Sequence, residues 1–63
     1  MTSRDIIARL KAEGWELADV RGSHHQYKHP LRSGRVTVPH LKKEFPKGTL
    51  RSLFRQAGWP WPP

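Results

Sequence analysis

Apolar side chains recur along this chain with two different periods. Ile6, Ile7 and Leu10 fall at the spacing that lines one face of a helix, and Gly14 supplies a stop. Thr2 and Ser3 are good N-cap residues, and Thr2-Ser3-Arg4-Asp5 has the form of a capping box with a short acid. The spacing therefore predicts a first helix over residues 3–13 with a charged outer face. Trp15, Leu17 and Val20 are mixed with polar residues and read as a strand over residues 15–21. Gly22-Ser23 is a turn, and a second strand over residues 24–29 ends at Pro30. Leu31 to Gly34 reads as another turn. Arg35-Val36-Thr37-Val38 alternates as a strand should and is closed by Pro39. After a basic connector from His40 to Lys47, Leu50, Leu53, Phe54 and Ala57 form one stripe, so a second helix runs over residues 49–57 and stops at Gly58. Pro60-Trp61-Pro62-Pro63 excludes a helix. The reading is one domain over residues 1–58 followed by an extended Pro/Trp-rich tail over residues 59–63.

Helix, three strands, helix, joined by short turns, gives an α+β domain. The strands form a three-stranded antiparallel meander, and both amphipathic helices cover one sheet face. With 63 residues there is room for one small domain of marginal stability and none for a dinucleotide fold beside a substrate domain. The chain has no cysteine. That excludes a disulfide framework, a thiolate metal site and a cysteine nucleophile, and it fits a reducing compartment. Ile6-Ile7-Ala8 is too short for a signal-peptide core or a membrane span, so a soluble cytoplasmic protein is expected.

Charge changes the picture. Lys and Arg number twelve against five Asp and Glu, a formal charge of +7. Residues 1–20 are close to neutral, whereas Glu44 is the single acid beyond them. Such segregation suits a polyanionic partner, nucleic acid or an acidic protein, although a solvated surface that keeps a small domain in solution has the same signature. The candidate phosphate contacts are Lys28, Arg32, Arg35, Lys42, Lys43, Lys47, Arg51 and Arg55. Lys47-Gly48-Thr49 opens the second helix, where free N–H groups favour an anion; it serves equally as an ordinary helix start.

Four histidines supply groups that titrate near neutrality. Strand alternation puts His24, Gln26 and Lys28 on one face and His25, Tyr27 and His29 on the other. Tyr27 is the bulkiest apolar group in the strand, so its face packs under the helices and His24 lies on the open one. His24 and Lys28 are then about 13 Å apart at ~3.3 Å per residue, close enough for one phosphate chain to touch both. Cleaving RNA needs a base for a 2′-hydroxyl, a cation for the phosphorane and an acid for the leaving oxygen, and imidazole, Lys and Arg cover these. A turn-proximal surface histidine bonded to a backbone carbonyl is the plainer reading of His24. His25 and His29 read as half-buried packing or hydrogen-bonding residues. His40, beside Lys42 and Lys43, reads as an RNA contact or a solvated loop histidine. His25 and His29 are also about 13 Å apart on a strand, too far to share a metal ion, so no metal or cofactor is called for.

The segment from Gly22-Ser23-His24-His25-Gln26-Tyr27-Lys28-His29-Pro30, then Gly34-Arg35-Val36-Thr37-Val38-Pro39-His40, then Lys47-Gly48-Thr49-Leu50-Arg51-Ser52-Leu53 and Gln56-Ala57-Gly58, resembles the HicA toxin family of bacterial toxin–antitoxin systems. Gly14-Trp15 stands where that family has glycine and an aromatic residue. The resemblance spans about residues 3–58. It implies a double-stranded-RNA-binding-like α-β-β-β-α fold and a ribosome-independent endoribonuclease acting on mRNA. It further implies that the free toxin is a monomer, held inactive by a HicB-type antitoxin, and that His24, after the Gly-Ser pair, is the catalytic histidine. Two other classes remain: a non-catalytic double-stranded-RNA-binding module, and a DNA-binding or adaptor protein. The single Lys47 before Gly-Thr counts against the first of these, and the lack of a helix pair joined by a short turn counts against the second.

Overall fold

The computed structural model describes residues 1–63. Five elements follow one another: α1 (Ser3–Ala12), β1 (Glu16–Arg21), β2 (His24–His29), β3 (Arg32–Pro39) and α2 (Lys47–Ala57). The strands make one antiparallel sheet in the order β1-β2-β3. Tyr27, Val36 and Val38 of one sheet face join Ile6, Leu10, Leu53, Phe54 and Ala57 of the helices in a single apolar cluster. The expected α+β architecture, with both helices on one face, is the one found.

Local chemistry explains where each element begins and ends. The Thr2 hydroxyl accepts from the Asp5 N–H at 3.1 Å, and the Asp5 carboxylate accepts from the Thr2 N–H at 2.8 Å. This reciprocal cap starts α1. Ser3 is buried: its N–H donates to the Lys42 carbonyl at 2.8 Å and its Oγ accepts from the Lys42 N–H at 3.0 Å, stapling the connector to α1. Both helices end on a left-handed glycine, Gly14 at φ +94° and Gly58 at φ +75°, a conformation that costs other residues far more. The next N–H then reaches back over the turn, Trp15 to the Leu10 carbonyl at 3.0 Å and Trp59 to the Phe54 carbonyl at 2.8 Å. Each turn swings a tryptophan into the core.

Three sequence expectations are revised by this geometry. The segment 59–63, read from its prolines as an extended tail, folds back: Trp59 is 7% exposed. Phe54 meets Trp59 and Trp61 edge-on at 5.2 and 5.4 Å. Prolines forbid a helix but not burial. Secondly, β3 starts at Arg32 rather than Arg35. The register slips between Tyr27 and His29, so β3 absorbs residues 33–35 as a bulge and only Pro30 and Leu31 remain in the turn. At β1, Trp15 belongs to the helix stop rather than the strand.

Chain direction gives the domain two unlike ends. His40 donates its N–H to the Ser23 carbonyl at 2.6 Å, and Ser3 is tied to Lys42, so the β1–β2 turn, the connector and the start of α1 lie together. At the other end His29 Nε2–H donates to the Glu13 carbonyl at 2.9 Å while His29 Nδ1 accepts from the Leu31 N–H at 3.0 Å. Trp15 packs edge-on against His29 at 5.3 Å, and Trp59 Nε1–H donates to the Glu13 carboxylate at 2.6 Å. Both helices run from the first end to the second.

Candidate active site

The open sheet face is set by register. Glu16 pairs with Lys28, Asp19 with Gln26 and Arg21 with His24, while on the other side of β2 Gln26 pairs with Thr37 and His24 with Pro39. His24 therefore stands in the middle strand, in the last row of the sheet, away from the buried Tyr27 as alternation requires. It is exposed. Gly22 allows this placement: at φ +57° it takes the positive backbone angle needed for a two-residue hairpin turn.

Arg21 is the basic residue nearest His24 in the sheet, directly across β1 on the same face. Its guanidinium is mostly exposed and held by Asp19 at 3.0 Å. The Arg21 bond, followed by the Val20 N–H, keeps the Asp19 carboxyl below its ordinary range. Sequence reasoning left Arg21 out, although a two-residue turn at Gly22-Ser23 already fixes it opposite His24. Further along the face, Arg35 donates to the Gln26 side chain at 3.0 Å, and Lys28 follows in the next row.

The remaining candidates divide between the two ends. Lys42 and Lys43 line a hollow of about 280 Å³ with Thr2, Ser3, Arg4 and Leu41, at the N-terminus of α1. Arg4 is a second residue that sequence reasoning missed. Lys47 and Arg51 are exposed on the first turns of α2, which has no side-chain cap, and Arg55 is exposed one turn on. Both helix N-termini and Lys42, Lys43 and Lys47 thus lie at the His24 end, so dipoles and side chains sum to a positive pole there. Of the twelve Lys and Arg, only Arg9 and Arg21 pair with a carboxylate.

Arg32 lies elsewhere. Its guanidinium sits over the Trp15 ring at 5.9 Å, against Gly58, in a broad cleft of about 600 Å³ at the far end. β2 separates it from His24 by five residues, about 16 Å. His29 belongs to the same far cluster, both ring nitrogens occupied by backbone partners, as expected of a packing residue. No three His, Asp or Glu side chains converge where they could hold one metal ion.

His40 is half-buried. Its ring lies against that of His25, centroids 4.5 Å apart and planes tilted by 42°. Its Nδ1 is enclosed with no hydrogen-bond partner. Strand register makes this contact: His25 pairs with Val38, and His40 follows two residues on, beyond Pro39.

Comparison with known proteins adds kinship to geometry. The family model for the HicA toxin of bacterial toxin–antitoxin systems matches residues 3–59. The chain is also similar to a chain of a solved HicA3 and HicB3 toxin–antitoxin complex. The TM-score is 0.71 and the identity 28%, over 97% of this chain and 98% of that one. Among curated proteins, none matches it.

Proposed function

The chain belongs to the HicA toxin family, and from that premise we propose that it is the toxin of a type II toxin–antitoxin pair, a ribosome-independent endoribonuclease that cuts mRNA and is neutralised by a HicB-type antitoxin. The observation that carries this reading is the position of His24: exposed, in the last row of the open face, beside Arg21 and at the positive end of the domain.

The chemistry follows from these groups. RNA lies along the open face with its phosphates near Lys28, Arg35, Lys42 and Lys43, a contact that reads backbone rather than sequence. The His24 imidazole takes the proton of a 2′-hydroxyl, whose oxygen attacks the adjacent phosphorus. Arg21 neutralises the charge that grows on the phosphorane. The 5′-oxygen departs and is protonated, leaving a 2′,3′-cyclic phosphate on one fragment and a 5′-hydroxyl on the other. Control comes from a second chain, a HicB-type antitoxin, that covers the face bearing His24.

The test is cleavage of a defined RNA by purified protein in the presence of a chelator, beside the same RNA with 2′-O-methyl groups. Fragments ending in cyclic phosphate from the first RNA and none from the second support the reading. Cleavage of the methylated RNA refutes it, and intact RNA with tight binding instead favours a non-catalytic double-stranded-RNA-binding module.

A further inference from the structure

We infer that His40 is the positioning residue for His24, an inference that rests on the reading of His24 as the catalytic group. His24 is exposed and opens β2 directly after the two-residue hairpin turn. Both of its chain neighbours are held by His40. The His40 N–H donates to the Ser23 carbonyl at 2.6 Å, and the His40 ring packs on the His25 ring at 4.5 Å. The residue before His40, Pro39, stands across from His24 in the sheet. Pro39 at the end of the third strand and His40 just beyond it therefore fix the chain before, beside and after the proposed base.

The contact is one of packing: Nδ1 of His40 is enclosed with no protein hydrogen-bond partner, and the ring lies against that of His25. Glycine and serine in the turn give the hairpin no stiffness of their own: Gly22 has open space where a side chain would be, and Ser23 is exposed. Without the His25–His40 contact, the strand end bearing His24 keeps its backbone pairing with β1 and β3 but loses the ring contact that holds the neighbouring side chain in place. A misplacement of about 1 Å at a reacting group can cost a hundredfold in rate.

This role separates cleanly from a phosphate contact. His40→Ala is expected to lower kcat ten- to a hundredfold with KM for RNA unchanged, and His40→Phe to restore kcat by restoring the ring contact. His40→Leu keeps the bulk without the planar face and is expected to stay slow, which keeps the test decisive should the alanine variant not fold. A raised KM with normal kcat in His40→Ala would overturn the inference in favour of an RNA contact. A phenylalanine variant as slow as alanine would overturn it in favour of direct chemistry by the imidazole, and wild-type kcat in the leucine variant would show that the ring contact is dispensable. His24→Ala assayed alongside keeps the two claims apart: activity there defeats the reading of His24 itself, whatever the His40 variants do.

Discussion

Replacing Trp59 with alanine removes a large ring from the point where both helix ends meet. The ring is 7% exposed, meets Phe54 edge-on at 5.2 Å, carries the Arg9 guanidinium at 4.1 Å over its face, and donates from Nε1 to Glu13 at 2.6 Å. Truncating a buried aromatic to alanine costs about 3–5 kcal/mol. A 63-residue domain has ~3–9 kcal/mol in total at the usual ~0.05–0.15 kcal/mol per residue, so the variant is expected to be largely unfolded or close to it. Trp59→Phe keeps most of the ring and loses the indole hydrogen bond, a change of about 1–2 kcal/mol. Urea titration followed by circular dichroism reads both, and thermal unfolding of the phenylalanine variant should show a midpoint lowered by roughly 4–8 °C per kcal/mol. Deleting residues 60–63 removes only the half-buried Trp61 and should cost less than Trp59→Ala. A Trp59→Ala protein within about 1 kcal/mol of wild type would refute the reasoning, because it would mean that the ring only rests on the surface.

Other consequences are equally open to measurement. The Trp59 hydrogen bond, with Arg9 beside it, holds the Glu13 carboxyl below its ordinary value. That stabilisation is present above the ordinary carboxylate value of 4.5 and is lost as pH falls through the lower folded-state value. Glu13→Gln should therefore flatten the acid side of the stability-against-pH curve, and an unchanged acid side would contradict the linkage. RNA affinity should fall linearly on a log–log plot against salt, and Lys42→Glu with Lys43→Glu should weaken binding to unrelated RNAs alike; salt-independent binding would remove the phosphate-reading surface from the account. In a complex with a HicB-type antitoxin, hydrogen exchange should slow at the β1–β2 turn and the His24 row, and protection confined to the helical face would argue against masking of the site.

Much of this was legible in the sequence because local rules and tertiary packing agree. The capping pair Thr2 and Asp5, the helical stripe from Leu50 to Ala57, and the alternation that turns Tyr27 in and His24 out all survive folding unchanged. The failures have physical causes. Ser33-Gly34 has turn composition, but the bulge opposite Lys28 lets those residues stay in the strand. The three prolines after Trp59 favour a tail, yet Gly58-Trp59 repeats Gly14-Trp15, and the shared helix stop puts both rings in the core. Arg21 was readable from the turn length. The contact of His25 with His40 was not, because it depends on a register across β3 and on the chain bending after Pro39.

RNA cleavage by wild-type protein and by His24→Ala, both pure and both shown folded by circular dichroism, tests the role of His24 most directly. An exposed imidazole contributes little packing, so the variant should keep its stability to within about 1 kcal/mol. Loss of the proton-transfer group should slow cleavage by about 10²–10⁴-fold and abolish growth inhibition, with RNA binding retained. A folded His24→Ala protein that cuts RNA at the wild-type rate would contradict the central claim.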